Sequence, residues 1–119
     1  MLVLIVANNP DLSGVWANHL ERLGASVTAV TSQEEATRIL CEFEVGVIVL
    51  DLMLMRGSAI AVADFASYRQ PDSKVVFVTS STFFSDGSIF NHMPNACACV
   101  KMHTPPEDIA AIVDHYGRV

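Results

Sequence analysis

Three polar side chains close three apolar runs. Asp51 ends Val45-Gly46-Val47-Ile48-Val49-Leu50, Thr79 ends Lys74-Val75-Val76-Phe77-Val78, and Lys101 ends Ala96-Cys97-Ala98-Cys99-Val100. A carboxylate oxygen can act as a nucleophile toward a phosphoryl group. The oxygens of the transferred group then need a cation and a hydrogen-bond donor, which a lysine and a threonine supply. Each residue also has a plainer role: the aspartate ends a strand and caps a turn, the threonine caps a helix, and the lysine lays its stem along a sheet edge. The set is more specific than its members, provided that the three runs are neighbouring strands.

The rest of the chain supplies the elements that make them neighbours. Met1 to Ala7 reads as a buried strand, broken by Asn8-Asn9-Pro10-Asp11, where Pro10 and Asp11 suit a first helical turn. Leu12, Val15, Trp16, Leu20 and Leu23 follow at helical spacing, with Gly24 as C-cap. Ser26 to Val30 is a short strand. Ser32-Gln33-Glu34-Glu35 is a capping box that opens a helix with Ala36, Ile39, Leu40 and Phe43 on one face. After the strand ending at Asp51 comes an apolar loop, Leu52 to Gly57, then a helix from Ser58 to Tyr68. Phe83 to His92 is expected to be a short or irregular helix. Thr104-Pro105-Pro106-Glu107 reads as a second capping box, leading a helix that buries Ile109, Ala110, Ile112 and Val113.

This is a βα unit repeated five times. Right-handed crossovers make the strands parallel. The expected fold is α/β: a doubly wound, flavodoxin-like five-stranded sheet of order 2-1-3-4-5, with helices on both faces. Sites then belong at the carboxyl ends of strands one, three, four and five, which carry Ala7, Asn8 and Asn9, then Asp51, then Thr79 and Ser80, then Lys101.

Composition bounds the alternatives. The 119 residues form one domain, 1–119, with a single core. A formal charge of −6 argues against nucleic-acid binding. No apolar run approaches the ~18 residues of a membrane span, and no basic segment precedes the first strand as in a signal peptide. Three cysteines are an odd count that suits the reducing cytoplasm.

With these residues in place, the chain resembles the receiver domain of bacterial two-component response regulators. The resemblance runs through Leu4-Ile5-Val6, Val47-Ile48-Val49-Leu50-Asp51, Val76-Phe77-Val78-Thr79-Ser80 and Cys99-Val100-Lys101. It implies that Asp51 accepts phosphate from a histidine kinase or phosphotransfer protein, with Thr79 as switch hydroxyl and Lys101 pairing the phosphate. It also implies a downstream protein partner and allows a homodimer. The family's acidic pair after the first strand is matched here by Ala7 and Asn8. Asp51 and Asn8 are what remains to ligate Mg²⁺, a cation that prefers charged oxygen ligands, so a weak site is expected. The loop after Asp51 is about two residues short and lacks the family's Met-Pro. The family's aromatic on the last strand is matched by Ala98, and its proline after the lysine by Met102, so a trans bond is expected there. The resemblance therefore implies an atypical receiver that is phosphorylated weakly or works mainly through protein contacts.

Two alternatives stand beside it: a pseudo-receiver regulated without phosphate, and a small-ligand binder or enzyme on a flavodoxin-like sheet. The second lacks a Gly-rich or Ser/Thr-rich phosphate loop after the first strand. Cys97 and Cys99, two apart on a strand, are expected to share a face as small buried hydrophobes rather than to bind metal with Cys41. His103 is read as an exposed loop residue. Met53, Leu54 and Met55 are read as a partner-facing patch, the alternative being a loop folded over the sheet edge.

Overall fold

Two of the strands carry unbroken apolar runs, Leu2–Val6 and Val47–Leu50, because both of their faces are covered. In the computed structural model, which describes residues 1–80 and 94–117, β1 (Leu2–Val6) and β3 (Val47–Asp51) lie at the middle of a five-stranded sheet. Every residue of β3 is buried. β4 (Lys74–Thr79) adds next to β3, and β2 (Ser26–Val30) and β5 (Ala96–Lys101) form the edges. All pairings are parallel, in the order β2-β1-β3-β4-β5 expected from the βα repeat. The helices are α1 (Pro10–Arg22), α2 (Gln33–Glu42), α3 (Ala59–Arg69) and α4 (Pro106–Gly117). The segment read as a short helix, Phe83 to His92, lies outside the described residues.

Alternation along the strands divides the core in two. Leu4, Val6, Ile48, Leu50, Val75 and Phe77 pack toward Leu40 of α2 and Val62 and Ala66 of α3. Val3, Ile5, Val47, Val49, Val76 and Val78 pack toward Trp16 and Leu20 of α1 and Ile109 and Val113 of α4. Burying a Val, Leu, Ile or Phe side chain is worth about 1.5–3 kcal/mol, so this double layer holds the strand ends in fixed relation.

Local signals start and stop the helices largely as read. Asn9 caps α1, its side chain accepting from the Asp11 and Leu12 amides at 3.0 and 3.4 Å. Gly24, at φ 94°, takes the left-handed turn after it and donates its N–H to the Glu21 carbonyl. The face of α1 is narrower than its apolar spacing implied: Trp16 and Leu20 are buried, while Val15 and Leu23 are exposed. Ser32 Oγ accepts from the Glu35 amide at 3.2 Å, and Glu35 Oε1 accepts from the Ser32 hydroxyl at 3.0 Å. That hydroxyl, then the Thr31 amide, hold the Glu35 carboxyl below the usual carboxylate range. At α4 the second capping box is not formed. Among the described residues no cap bond comes from the Thr104 side chain. The Pro105 carbonyl instead accepts from the Asp108 and Ile109 amides, so the helix begins at Pro106.

β5 departs from its sequence reading. The pairing register with β4 shifts between Val75 and Val76, so that Val75 opposes Ala96 while Val76 opposes Ala98. The extra residue is Cys97. A bulge of this kind breaks the two-residue alternation. Cys97 therefore packs with the α1/α4 layer and Cys99 with the α2/α3 layer, instead of sharing a face. Cys97 Sγ lies 3.4 Å from the Val75 carbonyl. Partial burial pushes both thiols up, which disfavours the thiolate needed for metal binding or oxidation.

The loop between β3 and α3 is fastened at its far end. The Gln33 N–H donates to the Arg56 carbonyl at 2.9 Å, the Ser58 N–H donates to Gln33 Oε1 at 2.8 Å, and Arg56 Nη1 donates to Thr31 Oγ1 at 3.1 Å. Gly57, at φ 123°, lets the chain pass this close: a Cβ there would fall on the Gln33 Cβ and 2.8 Å from its Oε1. Gly57→Ala is expected to cost about 2–3 kcal/mol, through backbone strain and displacement of Gln33. A urea titration should show the midpoint lowered with the slope unchanged; an unchanged midpoint would mean that the loop moves aside freely.

Candidate functional site

The sheet edge gathers the residues that the sequence singled out. Asp51 is the last residue of β3, Thr79 the last of β4 and Lys101 the last of β5. The register aligns Asp51 with Val78 and Thr79 with Lys101, so the three groups stand on successive strands at one carboxyl edge. Asp51 and Thr79 are each 3% exposed, whereas Lys101 is exposed. The Met102 amide donates to the Thr79 carbonyl at 2.9 Å, which continues the β4–β5 contact past the lysine. The Lys101–Met102 peptide is trans, and His103 is exposed.

β1 ends beside Asp51. Ala7 is buried and donates its amide to the Val30 carbonyl at 3.2 Å. Asn8 turns its side chain toward β3. Its Nδ2 donates to Asp51 Oδ2 at 3.2 Å and to the Met53 carbonyl at 3.0 Å, while its Oδ1 accepts from the Met55 amide at 2.8 Å. A carboxylate and a carbonyl can only accept, and a backbone N–H can only donate, so these partners fix which end of the amide faces which way. Asp51 Oδ1 accepts in turn from the Met53 amide at 2.9 Å, and the Asp51 carbonyl accepts from Leu54 at 3.2 Å. The apolar loop is thereby split. Leu54 turns into the α2/α3 core, while Met53 and Met55 stand exposed, Met55 at 82%. Met53–Met55 is thus part folded-over loop and part outward surface. Spacing alone does not separate these roles, because the loop path is set by bonds to Asn8, more than forty residues earlier in the chain.

Mg²⁺ calls for several hard oxygen ligands at about 2.0–2.1 Å. The residues present do not fit it. Asp51 is the carboxylate here, Ala7 offers no donor, and Asn8 presents its NH₂ rather than its carbonyl to Asp51. Among the described residues no group of three or more His, Cys, Asp or Glu side chains could hold a metal ion. The arrangement keeps what nucleophilic carboxylate chemistry needs on the protein side: a fixed carboxylate with unused lone pairs, flanked on the next strands by a hydroxyl and an ammonium.

The family model for the response regulator receiver domain matches residues 3–88. The chain belongs to the receiver domain family of response regulators. No curated protein matches it significantly. Solved structures share the fold at low identity. The N-terminal domain of a response regulator/sensory box/GGDEF protein from Carboxydothermus hydrogenoformans is 21% identical, with a TM-score of 0.86 over 99% of this chain and 94% of that one. A response regulator from Thermotoga maritima is 16% identical, with a TM-score of 0.85 over 99% and 98% of the two chains. The response regulator TrrA from the same organism, solved in complex with Mg²⁺-BeF, is 16% identical with a TM-score of 0.82 over 97% of each chain.

Proposed function

We propose that this receiver accepts phosphate slowly on Asp51 and acts mainly through protein contacts. The observation that carries the reading is the Asn8 amide bonded to Asp51, where the family resemblance calls for carboxylates and a cation. In the step proposed, an Asp51 carboxylate oxygen attacks phosphorus and forms an acyl phosphate as the bond to the donor's leaving group breaks. Lys101 pairs the added charge and Thr79 donates to a phosphoryl oxygen. Asp51 is nearly covered, and the Asn8 and Met53 bonds hold its charge where it is, so both access and reorganisation slow the attack. Mg²⁺, if bound, is bound weakly, for the reasons of ligand chemistry given above.

The partners that fit are a histidine kinase or phosphotransfer protein upstream and an effector protein downstream, in the cytoplasm, with homodimerisation as a further mode of contact. No helix among the described residues is long and apolar enough to cross a membrane. A second reading, regulation wholly without phosphate, draws on the same amide, because the bonds that restrain Asp51 also order the loop without any modification. Family membership speaks against an unrelated ligand-binding enzyme on this sheet.

Incubation with acetyl phosphate followed by intact-mass measurement separates these readings. The parent protein is expected to gain the mass of one phosphoryl group slowly and incompletely, and Asp51→Asn to gain none. Equal gain in both would exclude Asp51 as acceptor. Rapid, complete gain in the parent would contradict the slow step, and no gain at all would favour the phosphate-independent reading.

A further inference from the structure

The oxygens beside Asp51 that a cation would need already have an occupant. Asn8 Nδ2 stands 3.2 Å from Asp51 Oδ2 and 3.0 Å from the Met53 carbonyl oxygen, and it carries two hydrogens for two acceptors. The same side chain takes the Met55 amide on Oδ1 at 2.8 Å. All of its strong hydrogen-bonding directions but one oxygen lone pair are therefore used, and they join the end of β1 to two points of the β3–α3 loop. Asp51 Oδ1 and the Met53 amide close the ring from the other side at 2.9 Å.

We infer that Asn8 is a positioning residue whose neutral amide replaces a divalent cation. It holds Asp51 and the loop bearing Met53 and Met55 in one arrangement in the absence of metal. A cation would have to displace the amide from Asp51 and from the Met53 carbonyl, and would gain one charged ligand in return. Mg²⁺ gives up its water reluctantly, so that exchange is unfavourable. The consequence is a loop surface whose shape does not depend on metal, with the exposed Met53 and Met55 presented by a side-chain staple. The far end of the loop is held independently by Gln33 and Arg56, so the staple governs residues 53–55 rather than the whole connection. This deepens the reading of the Asp51 site given above. Its test uses no phosphate, so that reading can fail while this one stands.

The test compares the parent chain with Asn8→Asp and Asn8→Ala by amide NMR, using Mg²⁺ alone as the probe. In the parent, Mg²⁺ should not saturate the Asp51–Met55 amide shifts in the low millimolar range. Asn8→Asp replaces the donor with a second carboxylate, and should bind Mg²⁺ at least about tenfold more tightly, at those same amides. Asn8→Ala removes the staple without adding a ligand. Hydrogen exchange at the Met55 amide should accelerate about tenfold, while core amides of Val49 and Phe77 keep their protection, which also shows that the variant is folded. Two results would overturn the inference: Mg²⁺ binding in the parent as tight as in Asn8→Asp, or unchanged Met55 exchange in Asn8→Ala.

Discussion

Phe77→Ala lowers the unfolding free energy by about 3–5 kcal/mol, the largest stability effect expected of a single substitution near the site. Phe77 is wholly buried and is one of the largest side chains in that state. It lies in the α2/α3 layer, and its register partners are Leu50 on β3 and Cys99 on β5, so it touches the strands that carry Asp51 and Lys101. Truncation removes its transfer free energy and leaves a void that a sheet paired on both sides cannot close. Thermal unfolding should shift down by roughly 10–20 °C. Phe77→Leu fills most of the space and should cost under about 2 kcal/mol, which would tie the loss to volume rather than to any change in the strand. A loss under about 1.5 kcal/mol for Phe77→Ala would mean that neighbouring side chains collapse into the gap, and the rigid spacing of Asp51, Thr79 and Lys101 would then need another explanation.

Beryllofluoride, used as a phosphate mimic, is expected to perturb the amides around Asp51 and Thr79 strongly and those of Cys97–Lys101 and α4 little. A modification shifts a conformational equilibrium only through different interactions with the two states. Thr79 is buried at the end of β4 and could turn toward a group on Asp51. On the strand beside it, the position that the family resemblance assigns to a relaying aromatic is Ala98. Ala98 opposes Val76, three residues back from the Thr79–Lys101 pair, and its single methyl has no second rotamer with which to fill space differently. Once binding of the mimic is established, large shifts through Cys97–Lys101 and on into α4 would refute the expectation. Phe83 and Phe84, which lie outside the described residues, would then be the side chains to replace with alanine in search of the relay. Shifts confined to the sheet edge would leave partner binding nearly independent of phosphate, as proposed.

The segments that become strands, their parallel order and the strand-end positions of Asp51, Thr79 and Lys101 were all legible in the residue pattern. These follow from short-range rules. Continuous apolar runs such as Val47–Leu50 suit only doubly covered strands, and repeated right-handed βα units leave few ways to order five of them. The rest depended on which distant groups meet. Asn8 was legible as a poor metal ligand, but its NH₂ faces Asp51 and Met53 only because the β3–α3 loop folds back over the end of β1. Leu54 parts from Met53 and Met55 for the same reason. Cys97 and Cys99 part because one extra residue opposite Val75 and Val76 cancels the alternation on which their shared face rested. At Thr104 the motif was present, yet the helix starts at Pro106 with the Pro105 carbonyl taking the first amides. Periodicity reports what each segment buries; a hydrogen bond between residues 43 or 47 positions apart is decided by the path of the chain between them.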